Sequence, residues 1–493
     1  MNSLLTGIKK SQNVAYTANG AASNASTLNE VLDFFGLGAA LRTRTETDVV
    51  SLFSKAFATD QLLALKTIFY IRDVRGGQGE RKTFRTVLNW LGKNHPSIVE
   101  KNLDNVTKYG RWDDLYVLEG TPAWEAALEF IFNQFNEDCN NLAALLTGKK
   151  KDVKLSLLPK WLSSPNASSV ETCRRGRFFA QKFNLTEREY RKILSKMRAQ
   201  IDIVERKMSG REWTNINYQG VPSRASLIYK DAFKKHDSVG YAKFISKVEK
   251  GEAKINAATL YPYDIVRDVM TSTSHNATNQ VLWDSLPNYI PENGEYSRIL
   301  CLCDVSGSME GLPMQVSISL GLYCSERMSG PFKDHFLTFN TESKLEKVIG
   351  SNITERVHNL KSADWGGSTN LQSAFDAILV NAIRWGVKEE EMPEVLIIIS
   401  DFEFDAACNS GATNFDVIKS KYAAAGYKMA KIVFWNVNST NNQSPILFND
   451  KGVCLVSGCS PSILKSVLSG KIVSPIDTML EVLSNNRYDT VKV

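Results

Sequence analysis

Ser297-Arg-Ile-Leu-Cys-Leu-Cys-Asp-Val-Ser-Gly-Ser-Met309 decides how this chain is read. Residues 299–303 are a short, unbroken apolar run, the pattern of a strand covered on both faces. Asp304, Ser306 and Ser308 follow it at once. Downstream the pattern alternates. MQVSISLGLYCSERM (314–328) predicts a helix, DHFLTFN (334–340) a strand and NLQSAFDAILVNAIRWG (370–386) a helix. EVLIIISDFEF (394–404) predicts a very apolar strand, and KIVFWNVN (431–438) and GVCLVSG (452–458) two more. Strands alternating with helices argue for a doubly wound parallel sheet with both faces covered.

In such a sheet, ligands bind beyond the carboxyl ends of the strands. Three segments are expected at that edge: Asp304-Val-Ser-Gly-Ser308, the glycine-rich Trp365-Gly-Gly-Ser-Thr-Asn370, and Ser400-Asp401 at the end of the most apolar strand. They offer two carboxylates and three hydroxyls, from Asp304, Ser306, Ser308, Thr369 and Asp401. Hard oxygen donors of this kind suit Mg²⁺ or Mn²⁺ in octahedral geometry. They leave a position open for water or for an acidic group of a protein partner. Taken singly, each element has a plainer reading: a turn after a strand, a helix N-cap at Thr369, a cap at Asp401.

Upstream, residues 28–294 read as successive amphipathic helices. TDQLLALKTIFYIRDV (59–74), KTFRTVLNWLGK (82–93), TPAWEAALEFIFNQF (121–135) and EYRKILSKMRAQIDIVERKM (189–208) carry the period. Turns such as RGGQGE (75–80) and YGRWDD (109–114) interrupt them. This predicts an all-α repeat solenoid or bundle. The turn-rich DSLPNYIPENGEYS (284–297) marks the boundary. The expected domains are therefore 1–294, all-α, and 295–493, α/β.

DVSGSM, GGST and the strand-terminal SD resemble the three metal-site motifs of von Willebrand factor A domains. That resemblance implies first-motif ligands Asp304, Ser306 and Ser308, a second-motif ligand Thr369, and Asp401 as the third, often acting through water. The N-terminal part is similar to the TROVE module of Ro autoantigen-like proteins, and closer to a microbial and viral branch of that superfamily. The motifs are TANGAASNASTLNEVLDFFGLGAALR (17–42), FYIRDVRGGQGER (69–81), YGRWDDL (109–115), LPKWLSS (158–164), VPSRA (221–225) and YPYDIV (261–266). The resemblance implies HEAT-like helical repeats, closed into a ring or left as an open solenoid, that bind noncoding RNA.

Charge is consistent with an anionic partner upstream. Residues 1–294 hold 41 Lys+Arg against 31 Asp+Glu, whereas 295–493 hold 18 against 22. Candidate phosphate contacts are Arg72, Arg75, Arg81 and Lys82 around Gly76-Gly-Gln-Gly79, with Arg111 and the cluster Arg174, Arg175 and Arg177. Lys149–Lys151 form a further run. The plain reading of the glycine segment is a turn between helices with Arg72 and Asp73 paired, and charge runs are more often solvated faces. Trp112, Trp161 and Trp213 suit either base stacking or the core.

Eight cysteines and five histidines without ligand spacing argue against zinc and for reduced thiols. No apolar run approaches a bilayer span, and MNSLLTGIKKSQ lacks a secretory pattern, so the expected location is cytoplasmic, or virion-associated for a viral chain. No positioned general base or phosphate clamp accompanies the two aspartates, which argues against an enzyme. Two function classes follow: a metal-bearing ribonucleoprotein component, or a metal-dependent protein-interaction and assembly module acting without RNA.

Overall fold

The protein is described from a computed structural model that covers residues 3–148, 153–271, 276–290, 296, 298–329, 331–339, 342–361, 369–405, 414–468 and 472–493. It is mostly helical, with a mostly parallel six-stranded sheet in its C-terminal part. The chain divides into two compact units. The first gathers Met1–Phe84, Pro222–Leu227 and Lys254–Val491; the second gathers Arg85–Val221, Ile228–Ala253 and Lys492–Val493. Compactness thus divides the chain elsewhere than at residue 294. No helix among the described residues is long and apolar enough to cross a membrane.

In the first unit a hairpin of β1 (Val14–Tyr16) and β2 (Ala22–Asn24) precedes the main sheet. That sheet comprises β3 (Ile299–Cys303), β4 (His335–Thr338), β5 (Leu345–Lys347), β6 (Val395–Ser400), β7 (Lys431–Asn436) and β8 (Val453–Ser457), in the order β5-β4-β3-β6-β7-β8. All pairings are parallel except β4 with β5, an antiparallel edge. The expected apolar runs form β3, β4, β6, β7 and β8. β5 and the N-terminal hairpin were not foreseen, because three-residue strands such as Leu-Glu-Lys carry no readable alternation.

β3, β6 and β8 are buried at every residue, as a sheet covered on both faces demands. The N-terminal residues provide part of the cover. In the helix Glu30–Leu37 every residue after the first is buried. A Cβ added to its Gly36 would lie 3.3 Å from Leu455 Cβ on β8, so helix and sheet meet at glycine distance. A helix buried at seven of its eight residues, Asp33 included, has to be enclosed, and β8 supplies part of the enclosure. This is why the first 84 residues belong with the C-terminal sheet.

The Gly76–Gly79 segment is part of the same core. The amides of Gly77 and Gly79 donate to Asp73 O, that of Gln78 to Tyr70 O and that of Glu80 to Ile71 O. The Gln78 side chain is buried between Ala39 N (2.8 Å) and Ser457 Oγ (3.1 Å). A Cβ on Gly77 would stand 2.0 Å from Tyr70 O. Asp73 pairs with Arg487, not with the neighbouring Arg72. It accepts from Arg487 Nε and Nη2 (2.7 Å), Tyr488 Oη (3.1 Å) and the Arg75 amide (3.0 Å).

The second unit is helical. Its longer helices are Trp124–Leu146, Val170–Lys182, Glu187–Gln200 and Ser238–Glu249. An aromatic core includes Phe135 and Phe183, whose rings stack at 4.4 Å. The thiols of the described cysteines are free.

Asp73 is buried, and its partner Arg487 closes the first unit from the far end of the chain. Asp73→Ala removes the buried carboxylate that takes two guanidinium donors and the Tyr488 hydroxyl, and is expected to destabilise the unit by about 3 kcal/mol. Guanidinium-chloride unfolding measures this, and a loss below about 1 kcal/mol, the level of a surface pair, would show that the pair is solvated.

Candidate metal centre

β3 and β6 are parallel neighbours, and strand order runs in opposite directions from them: β4 and β5 lie beyond β3, β7 and β8 beyond β6. This is the switch point of the sheet, where chain leaving adjacent strands diverges and opens a crevice. Cys303 is in register with Ile399, and the Asp304 amide donates to Ile399 O at 3.0 Å. Asp304 and Asp401 therefore leave the sheet side by side.

Both are buried. Asp304 Oδ1 accepts from the Ser306 amide at 2.9 Å and Oδ2 from the Ser400 hydroxyl at 2.6 Å. The hydroxyl oxygens of Ser306 and Ser308 lie 3.1 Å apart. Asp401 Oδ1 accepts from the Glu403 amide at 3.2 Å. Its Oδ2 is buried without a hydrogen-bond partner among the described residues, although the Ser308 hydroxyl is near enough to favour the charged carboxylate. Burial, then the charge of Asp304, pushes the Asp401 carboxyl up to about 6. Burial also pushes Asp304 up, against its bonds from Ser400 and Ser306. Among the described residues no Lys, Arg or His forms an ion pair with either.

Thr369 is buried on a second layer of the same edge. Its amide donates to Asp405 Oδ2 at 2.8 Å. Its hydroxyl has Glu403 O at 2.8 Å and Asp405 Oδ1 at 3.0 Å, and accepts from Asn19 Nδ2 at 3.1 Å. The structure thus brings Asp304, Ser306, Ser308 and Asp401 together, and links Thr369 to them through Asp405, whose charge also bears on Asp304. Trp365–Ser368 of the expected loop lie outside the described residues.

The chain enters this second layer through Phe402, whose φ of 68° is left-handed and strained for an aromatic residue. The turn carries Glu403 back under the N-terminal hairpin. Glu403 is buried and accepts from the Ala18 amide (2.8 Å), the Thr440 hydroxyl (2.6 Å) and the Asn441 amide group (2.6 Å). Asn19 also donates to Glu403 O at 2.7 Å, Thr17 Oγ1 to Phe404 O at 2.7 Å, and Gly20 bridges Asp405.

Glu403, Asp405 and Asn19 escaped the sequence reading. Asp401-Phe-Glu-Phe-Asp405 has a period of two, which could have revealed the acidic face. Nothing local marks Asn19.

The set fits a hard divalent ion: two carboxylates and two hydroxyls converge, and one buried carboxylate oxygen is unserved. Among the described residues no group of three or more His, Cys, Asp or Glu is arranged for a metal, so any such centre rests on hydroxyls as well as carboxylates.

The candidate phosphate contacts fare differently from one another. Arg72 is buried, and Lys82 Nζ donates to Arg42 O (3.0 Å) and Arg44 O (3.3 Å). Arg75 and Arg81 are exposed. Arg111 lies 4.1 Å over the Trp161 ring and pairs with Asp113 at 2.9 Å. Arg175 lies over Tyr116 and pairs with Glu171 at 2.8 Å. Arg174 reaches Glu119 at 3.2 Å and Arg177 reaches Glu187 at 3.4 Å. Trp112 is buried, and Trp213 stacks on His236 at 4.3 Å. Lys149–Lys151 lie outside the described residues.

Two family models match the chain, both described as domains of unknown function: DUF2828 over residues 17–119 and 177–286, and DUF7788 over 298–491. Among solved structures, the Ro (RSR) protein of Deinococcus radiodurans is similar at a TM-score of 0.42 and 12% identity, covering 91% of this chain and 100% of that one. Uncharacterized protein L728 of Acanthamoeba polyphaga mimivirus is 30% identical over 512 residues, spanning 96% of this chain and 87% of the relative. Identity sustained over nearly the whole of both chains makes this protein a member of the family of mimivirus protein L728.

Proposed function

We propose that this is a non-catalytic binding protein that holds Mg²⁺ or Mn²⁺ at the sheet switch point and RNA on its helical unit. The observation that carries the metal reading is the buried Oδ2 of Asp401, without a hydrogen-bond partner among the described residues, beside Asp304, with no cationic side chain among those residues paired to either. Two buried like charges require a proton or a cation, and hydroxyls of Ser306 and Ser308 beside them favour a hard cation. Asp304, Ser306, Ser308 and Asp401 would hold the ion, with Thr369 one layer away, in keeping with the resemblance to von Willebrand factor A metal sites. A bound ion supplies an open coordination position for a carboxylate oxygen of a partner.

The RNA reading rests on charge and on the resemblance to TROVE modules. The helical unit holds 29 Lys+Arg and 20 Asp+Glu, a net +9, whereas the first unit holds 30 and 33. The whole of the chain's net positive charge of +6 is therefore on the helical unit, as a phosphate-binding surface requires.

Isothermal titration with Mn²⁺ tests the centre. Asp304→Ala is expected to abolish binding while the helical far-UV signal stays unchanged; wild-type Mn²⁺ affinity in that variant would remove the ligand assignment.

In chelator the same site has a pH signature. The Asp401 carboxyl titrates near 6 when folded and near its ordinary 3.8 when unfolded. Its contribution to stability is full below pH 4 and lost as pH rises past 6. Asp33, buried and also pushed up to about 6, acts in the same sense, so the comparison must isolate Asp401. Asp401→Asn is expected to flatten the fall in melting temperature between pH 4 and 7 and to abolish stabilisation by Mn²⁺. Identical pH profiles for variant and wild type would place the titration elsewhere.

A further inference from the structure

The helical unit contains a cleft of about 750 Å³ between the helix Glu187–Gln200, the helix Val204–Ser209 and the chain that follows Leu158–Trp161. Its volume is that of a small-ligand site. Lys160, Arg191, Lys192, Arg198 and Arg206 line it, against one carboxylate, Glu205. None of these residues belongs to the basic clusters that the sequence singles out.

The cleft is built around a guanidinium with no anion. Arg198 is half-buried, and donates from Nε to Pro159 O (2.8 Å), from Nη1 to Ser164 Oγ (2.9 Å) and from Nη2 to Leu162 O (2.6 Å). All three acceptors are neutral, so the side chain is fixed while its charge stays uncompensated, and burial pulls its pKa down. Glu205 is engaged through one oxygen: its Oε1 accepts from Tyr229 Oη at 3.3 Å and lies 3.9 Å from Lys160 Nζ, while its Oε2 is buried without a hydrogen-bond partner among the described residues. Arg191 and Arg206 are exposed and form no ion pair with a described residue. The basic cluster that the sequence singles out on this unit is matched instead: Arg111 with Asp113, Arg174 and Arg175 with Glu119, Arg177 with Glu187.

Five cations facing one engaged carboxylate repel one another, and an entering anion relieves that repulsion. Asn166, Ser195 and Ser209 add neutral hydrogen-bonding groups at the walls. Among the described residues no aromatic side chain lines the cleft, so they offer charge and hydrogen bonds but no surface on which a base could stack. We propose that this cleft is a phosphate-binding site, seating backbone phosphates of single-stranded RNA without regard to base. The choice of RNA rests on the function proposed above; the choice of phosphate rests on the cleft alone.

The test uses the full-length protein, a labelled single-stranded RNA 20-mer, and tripolyphosphate as a small phosphate probe. Arg191→Gln with Arg206→Gln is compared with Arg188→Gln with Lys196→Gln, which removes the same charge from exposed positions outside the cleft. Circular dichroism first establishes that both variants fold. The cleft variant is expected to bind RNA about tenfold more weakly and to show a salt slope shallower by about 1.4, roughly 0.7 for each lost single-strand contact. The control is expected to stay within about twofold of wild type, since charge outside the cleft acts only at screened range. Equal weakening in both variants, or in neither, overturns the cleft as the RNA site. If the wild type binds no RNA, the RNA reading fails by itself. Tripolyphosphate then decides the cleft: a melting temperature raised in wild type and not in the cleft variant supports a small phosphate ligand, and no rise overturns the proposal.

Discussion

Two carboxylates removed from water at adjacent strand ends repel each other, and the architecture of the first unit is arranged around that fact. Asp304 and Asp401 leave β3 and β6 in parallel register, so the sheet itself forces them together. Among the described residues their donors are neutral: the Ser306 amide and Ser400 hydroxyl on Asp304, the Glu403 amide on Asp401 with the Ser308 hydroxyl close by. Donors of that kind hold the carboxylates in position without cancelling their charge. Position without neutralisation is what a cation site needs and what a purely structural ion pair lacks.

The second layer shows how a buried acid looks when it is structural. Glu403 is as deeply placed as Asp401, yet its two oxygens take three donors from Ala18, Thr440 and Asn441. The same short run of chain thus holds one satisfied and one unsatisfied carboxylate, two residues apart. The left-handed Phe402 between them separates the two environments. Strain of this kind persists only where neighbours over-determine the backbone, and here the neighbours come from residues 17–20.

Legibility in the sequence followed the range of the interaction. β3, β6, β7 and β8 are continuous apolar runs because both their faces are covered, and that pattern is local. The first-motif residues and Asp401 were readable for the same reason: each follows such a strand directly. Asn19, by contrast, reaches Thr369 across 350 residues and Glu403 across 384, and no local pattern carries that information. Compactness was hidden too. Glu30–Leu37 reads as one more amphipathic helix in a helical domain, but every residue after Glu30 is buried, Asp33 included, and β8 covers part of that surface.

Basic residues taught the reverse lesson, since abundance in sequence did not mark availability in space. Arg72 lies in the core, Arg111 stacks on Trp161 and pairs with Asp113, and Arg175 has both an aromatic ring and acidic partners. A run such as Arg174-Arg175-Gly-Arg177 advertises charge, while Glu119, Glu171 and Glu187 supply the counter-charges from other parts of the chain. Arg191, Arg198 and Arg206 are scattered over two helices and form no run. They converge only because Glu187–Gln200 and Val204–Ser209 fold over the same cleft. The criterion that separates the two groups is electrostatic balance, a property of the neighbours a side chain meets after folding and not of its own position in the sequence. By that criterion an arginine held by neutral oxygens, two carbonyls and a hydroxyl, as Arg198 is, points to an anion from outside the chain more strongly than an arginine with acidic partners does.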